Sequence, residues 1–137
     1  MRILILILIH FFFLGCQAKK EIHPPLLEGY WEIEKVTSHG ETFHPKGAAP
    51  LVDYYFLKNK TAGYRKKLAP SFAAYQTSEQ QYEFQIQRED ENHYLRFNLA
   101  LEPWKEKIIR LDSSQLVLEH QDKVYHYTRH EKIVLDE

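Results

Sequence analysis

The sequence predicts an all-β chain, an up-and-down antiparallel barrel of about eight strands. Three observations carry this. Apolar and polar residues alternate with a period of two along most of the chain, and no stretch shows the period of an amphipathic helix. Turn-forming clusters recur roughly every eight to twelve residues. Successive strands are joined by tight turns, and closing such a run of hairpins into a barrel removes its exposed edges.

Taken in order, residues 1–15 read as a secretory leader. The run from Ile3 to Leu14 is apolar apart from His10 and is shorter than the roughly 20 residues a spanning helix needs. With Arg2 before it, it has the form of a signal peptide. Cys16 is the single cysteine of the chain, so no intramolecular disulfide forms, and it follows Leu14-Gly15 directly. That placement resembles a bacterial lipobox, whose cysteine is acylated and becomes the new N-terminus. The resemblance implies fatty acyl chains such as palmitate on Cys16; the plainer alternative is a cleaved leader followed by an unmodified cysteine. Residues 16–25 are polar, end in Pro24-Pro25, and read as a tether. Residues 26–130 form the barrel and residues 131–137 a tail.

The first strand opens at Gly29-Tyr30-Trp31-Glu32-Ile33, with Trp31 and Ile33 on one face. Residues 37–50 hold Gly40, Pro45, Gly47 and Pro50 and read as a loop long enough to cover the mouth. Residues 51–57 and 61–68 form a hairpin about Lys58-Asn59-Lys60, and residues 72–76 are a weaker strand. Residues 82–87 alternate without error. In residues 94–101, Leu95, Phe97, Leu99 and Leu101 share a face. Residues 104–111, 116–118 and 124–129 complete the series, separated by Asp112-Ser113-Ser114 and Gln121-Asp122-Lys123. The roughly 110 residues left for folding are enough for one core without staples.

These segments resemble a known family. Leu26-Leu27-Glu28-Gly29-Tyr30-Trp31-Glu32-Ile33-Glu34-Lys35-Val36 is similar to the opening strand of lipocalin-like proteins, whose signature is Gly-x-Trp. Leu111 to Leu118 and Tyr125 to Arg129 resemble the last hairpin of the bacterial lipocalin-like lipoproteins. Gly63-Tyr64-Arg65-Lys66-Lys67-Leu68-Ala69-Pro70 and Trp104-Lys105-Glu106 resemble segments those proteins carry. The resemblance covers nearly the whole chain after the leader. It implies an eight-stranded barrel that binds a small hydrophobic or amphipathic molecule, with no catalytic residues to carry over. Lys19-Lys20 after Cys16 lacks the acidic run that some such proteins use for surface export. The expected place is therefore the outer membrane, facing the periplasm.

The candidate ligand contacts are Tyr54, Phe56, Tyr64, Arg65, Lys66, Lys67, Trp104 and Glu106. On a strand, Tyr64, Lys66 and Leu68 share one face and Arg65 and Lys67 the other. Glu106 shares a face with Trp104 and Ile108, and a carboxylate among apolar groups needs a cation. An ion pair of Glu106 with Arg65 or Lys66 is expected; a solvated outer face and a basic rim that receives an acidic head group are the alternatives. Trp31 reads as the plug of the closed end, its indole N–H needing a partner. Tyr54, Phe56, Tyr82, Phe84 and Phe97 sit on apolar strand faces and leave a modest cavity or none.

The balance of 18 basic and 19 acidic residues argues against a nucleic-acid partner. His126 and His130 are about 13 Å apart on a strand, too far for one ion, and His39 and His44 lack a third ligand. Ser71, Ser78, Ser113 and Ser114 lie in turn-like contexts without a nucleophile elbow. No metal, cofactor or enzymatic activity is expected. The expected function is ligand binding in a membrane-anchored barrel; the alternative is a filled barrel that acts as a structural or protein-interaction module of the envelope.

Overall fold

The computed structural model of the chain describes residues 21–46, 50–70 and 75–130. Among these residues a 3₁₀ turn, Pro24–Leu27, leads into ten strands: β1 (Gly29–Ser38), β2 (Glu41–Phe43), β3 (Val52–Leu57), β4 (Ala62–Pro70), β5 (Tyr75–Thr77), β6 (Tyr82–Glu89), β7 (Asn92–Phe97), β8 (Trp104–Leu111), β9 (Gln115–His120) and β10 (Lys123–His130). Each barrel strand pairs antiparallel with its neighbour, in the order β1-β3-β4-β6-β7-β8-β9-β10, and β10 returns to β1 to close the ring. The two short strands stand outside this ring, β2 on the far end of β1 and β5 on the far end of β4. Cys16 and the 131–137 tail lie outside the described residues.

Two irregularities bend the wall. The register of β1 against β10 shifts between Ile33 and Lys35, and that of β8 against β9 between Ile108 and Arg110. An extra residue increases local twist, which a closed barrel requires. The interior is filled by a continuous apolar cluster that includes Leu27, Trp31, Tyr55, Phe84, Leu95, Phe97, Leu116, Leu118 and Tyr127.

The lower end is closed. Trp31 is wholly buried and its indole Nε1–H donates to the Leu27 carbonyl at 2.8 Å. The Arg129 guanidinium lies over the Trp31 ring at 4.1 Å and donates to the carbonyls of Leu26, Glu28 and Ser113. One side chain thereby ties the 3₁₀ turn, the β8–β9 turn and the plug together. Gly29 makes room for it: its φ is +123°, and a Cβ there would stand 2.8 Å from Arg129 Nη1. Gly29→Ala is expected to cost about 1–3 kcal/mol in urea unfolding, from backbone strain and displacement of Arg129. A loss below about 0.5 kcal/mol would show that this close approach is dispensable.

Three segments differ from expectation. Ile22 packs against the core and Pro24–Leu27 form the turn under the barrel, so the end of the expected tether belongs to the folded unit. Within residues 37–50, β1 runs on to Ser38 and turns back through His39 and Gly40, whose φ values are +50° and +80°. This is the left-handed pair a two-residue hairpin favours. The returning β2 extends the sheet with three exposed residues, and residues 47–49 of the expected covering loop lie outside the described residues. In the 94–101 run the strand stops at Phe97; Leu99 still reaches the core, whereas Leu101 is fully exposed.

The β8–β9 turn is organised by Asp112. Its carboxylate accepts from the N–H groups of Ser114 and Gln115, from the Ser114 hydroxyl and from Arg110 Nε. The Ser114 N–H bond, then Arg110 and the Gln115 N–H, hold its pKa far below the usual carboxylate range. A depressed folded pKa contributes stability above the ordinary carboxylate value of about 3.9, and this contribution is lost as pH falls below it. Asp112→Asn should therefore be less stable than the parent at pH 7, with the gap narrowing below about pH 4. Thermal midpoints across that range test this; a gap independent of pH would refute it.

Candidate functional site

Strand alternation decides which of the candidate residues meet. In β3 the inward residues are Asp53, Tyr55 and Leu57, and β4 sets Lys67, Arg65 and Gly63 opposite them. The face inside the barrel is therefore the one carrying Arg65 and Lys67. Tyr54, Phe56, Tyr64 and Lys66, expected to contact a ligand within the barrel, stand on the outer face. There Tyr54 pairs with the Tyr30 ring at 4.8 Å, Phe56 stacks on Tyr64 at 5.1 Å, and Lys66 Nζ lies 5.9 Å from the Tyr64 ring. The apolar alternation of Val52, Tyr54 and Phe56 pointed the other way because the inner face of β3 begins with an aspartate. That aspartate is tolerated inside because it is paired.

Of the two cations open for pairing with Glu106, the fold selects Arg65. Arg65 Nη1 donates to Glu106 Oε1 and Oε2 at 3.1 and 3.0 Å and to the Tyr55 hydroxyl at 3.2 Å. Trp104 Nε1–H donates to Glu106 Oε1 at 2.8 Å. Residue exposures of 8 % for Arg65 and 4 % for Glu106 make this an interior ion pair. The guanidinium also lies 4.3 Å from the centre of the Phe97 ring. Its Nε is buried without a partner among the described residues. Burial alone would lower the pKa of Arg65, but the oxygens of Tyr55, Glu106, Asp53 and Tyr127 raise it well above its ordinary value, so it stays charged.

A second pair lies beside the first. Asp53, 4 % exposed, accepts from Lys67 Nζ at 3.1 Å and from the Tyr127 hydroxyl at 3.2 Å. The Lys67 side chain keeps 58 % of its exposure, so it reaches out of the barrel end. Burial pushes the Tyr55 and Tyr127 hydroxyls above the usual tyrosine range, and the nearby Glu106 and Asp53 carboxylates push the same way. Both phenols remain protonated, Tyr127 donating to Asp53 and Tyr55 accepting from Arg65.

Above the filled lower barrel, on the side of β4, β6, β7 and β8, lies a cavity of about 180 Å³ lined by Arg65, Lys67, Tyr82, Phe97, Leu99 and Trp104. Among the described residues its lining contains two cations and no carboxylate; the Glu106 and Asp53 oxygens stand behind it, bonded to Arg65, Trp104, Lys67 and Tyr127. Trp104 stacks on His120 at 3.6 Å between ring centres. His120 does not line the cavity, so the rest of the indole is left to it. Tyr82 and Leu99, missed as site residues, are brought in by the end of β6 and the segment after β7. The alternation of residues 82–87 placed Tyr82 on the same face as Phe84 and was the available signal for it.

Ser38, His39 and Asp122 also come together, at the tips of two hairpins. The Ser38 hydroxyl donates to Asp122 Oδ2 at 3.1 Å, and His39 Nδ1 approaches the same oxygen at 3.1 Å. Ser38 Oγ also stands 3.2 Å from His39 Nδ1, so the three groups form an exposed clasp between the hairpin tips. Among the described residues no group of three or more His, Cys, Asp or Glu is placed to hold a metal ion.

A closed antiparallel barrel of this order, plugged by Trp31, is a lipocalin-like fold. A lipocalin-like protein from Bacteroides uniformis has a similar structure, with a TM-score of 0.50 and 11 % identity over 77 % of this chain and 99 % of that one. An uncharacterized protein from Bacteroides eggerthii aligns with a TM-score of 0.49 and 10 % identity over 76 % of this chain and 99 % of that one. At such identities the likeness concerns the fold alone. No protein-family model matches the sequence, and no curated protein does.

Proposed function

We propose that this protein is a non-enzymatic binding protein that takes the acidic end of a small amphipathic molecule into the mouth of its barrel. The observation that carries this reading is the lining of the mouth cavity, in which the cations Arg65 and Lys67 stand among Tyr82, Phe97, Leu99 and Trp104. A pocket of mostly apolar walls with a few fixed polar groups is the usual form of a small-molecule site. Apolar contact supplies the affinity, at about 25 cal/mol per Å² buried, and the cations orient the acid. In the same reading Cys16 bears the acyl anchor of a lipocalin-like lipoprotein, holding the barrel at the outer membrane on its periplasmic side.

Native mass spectrometry of the purified chain, exposed to envelope lipid extracts, tests the binding. A retained or exchangeable small anion is the expected result, and its absence across all extracts would remove the reading. Labelling with an alkyne palmitate analogue, lost in Cys16→Ala, tests the anchor separately.

One observation favours a second reading, an interaction module of the envelope. The lower barrel is solid, while the outer face carries the Tyr30–Tyr54 and Phe56–Tyr64 ring pairs. Crosslinking in cells that recovers one specific protein partner, lost on changing Tyr54 and Phe56 to serine, would support it.

A further inference from the structure

From the size and walls of the mouth cavity we infer that the ligand is a small aromatic monocarboxylate rather than a long-chain fatty acid. This rests on the mouth being a binding site. The floor sets the depth: Trp31, Tyr55, Phe84, Phe97, Leu118 and Tyr127 fill the barrel below. Among the described residues no interior channel for an acyl chain runs below the cavity. The space lined by these six residues, about 180 Å³, is of the order of an apolar cavity of about 150 Å³ that holds one benzene ring. A single ring with a short acidic arm fills it; a chain of a dozen carbons would leave most of its apolar surface in water.

The walls match a ring. Phe97, Tyr82 and Trp104 present aromatic surface, and Trp104 is held still from two sides. Its N–H is bonded to Glu106, and His120 is stacked against it. A fixed indole offers contact without loss of rotamer freedom on binding.

The charge assignment follows from which cation is free to act. Arg65 is only 8 % exposed and spends Nη1 on both oxygens of Glu106 and on Tyr55, so it is held inside. Lys67 holds Asp53 through one contact at 3.1 Å and is more than half exposed. Its ammonium group has three donors, two of which remain for an incoming carboxylate. One available cation suits one negative charge.

Isothermal titration of the purified chain with phenylacetate, toluene and dodecanoate decides the matter. Phenylacetate is expected to bind at least tenfold more tightly than toluene and no more weakly than dodecanoate. Lys67→Met should weaken phenylacetate at least tenfold while leaving toluene unchanged. Because that change also strips Asp53 of a partner, Leu99→Trp provides an independent variant: it fills the cavity and should abolish binding with the thermal midpoint preserved. Dodecanoate binding tenfold more tightly than phenylacetate would overturn the ring-sized ligand while leaving the mouth a binding site. Toluene binding as tightly as phenylacetate would overturn the role of the charge. Unaltered phenylacetate binding in Leu99→Trp would place the site elsewhere and overturn the inference. No binding by any of the three probes would overturn the inference, whereas the native mass spectrometry above judges the binding reading by itself.

Discussion

Glu106→Ala is expected to lower the unfolding free energy by about 3–5 kcal/mol, because it leaves Arg65 charged and buried without its carboxylate. Water cannot replace the lost oxygens readily at a residue exposed by only 8 %, and Arg65 already carries a buried Nε with no partner. Trp104 Nε1 loses its acceptor in the same variant. Urea unfolding measures the effect as a fall in midpoint at unchanged slope. A loss under about 1 kcal/mol would mean that the pair is solvated, which is what an exposed ion pair is worth. The companion variant sharpens the test. Replacing both partners, Arg65→Met with Glu106→Leu, should be nearly neutral or stabilising, since an apolar pair removes the desolvation cost of two charges. If the double variant is as unstable as the single one, the pair is required for the fold; if it is stable but no longer binds anions, the pair is kept for binding.

Trp31→Ala is expected to cost a similar amount, about 3–5 kcal/mol, through the cavity left by the largest buried side chain. Trp31 has no exposed surface, and its removal acts on three contacts at once. The core loses its floor, the Leu27 carbonyl loses its donor, and Arg129 loses the ring it lies over, worth about 0.5–2 kcal/mol. Trp31→Phe separates these effects. It keeps most of the volume but no N–H, and should cost roughly 1–3 kcal/mol. Near-ultraviolet circular dichroism and urea midpoints of the two variants provide the comparison. Equal losses in both would put the stabilisation in the hydrogen bond; a loss in Ala alone would put it in packing and the Arg129 stack.

The two sites show different degrees of legibility. The floor could be read from the chain because Gly29-Tyr30-Trp31 combines a turn-permissive residue with a large inward side chain on an alternating strand. The Glu106 pair was legible in part. Glu106 shares a face with Trp104 and Ile108, so its burial and its need for a cation followed from period two. Which cation answers it depended on the phase of β4, and both phases of Tyr64-Arg65-Lys66-Lys67 look equally amphipathic. Alternation sends Tyr54 and Phe56 to the interior for a related reason. Hydrophobic alternation assumes that the more apolar face is the buried one, and in β3 the buried face carries Asp53.

By itself, then, the sequence determined the all-β class, the hairpin order and the plug. These depend on local alternation and on turn residues, which act over a few positions of the chain. The tertiary structure decided which faces of β3 and β4 turn inward, the pairing of Arg65 with Glu106 and of Lys67 with Asp53, and the small cavity they border. Each of these depends on residues far apart in the chain: Arg65 and Glu106 are separated by 41 positions, Asp53 and Tyr127 by 74. A buried charge is stable only when its partner arrives from another strand. That condition is met by closing the barrel, and no single segment of the chain records it.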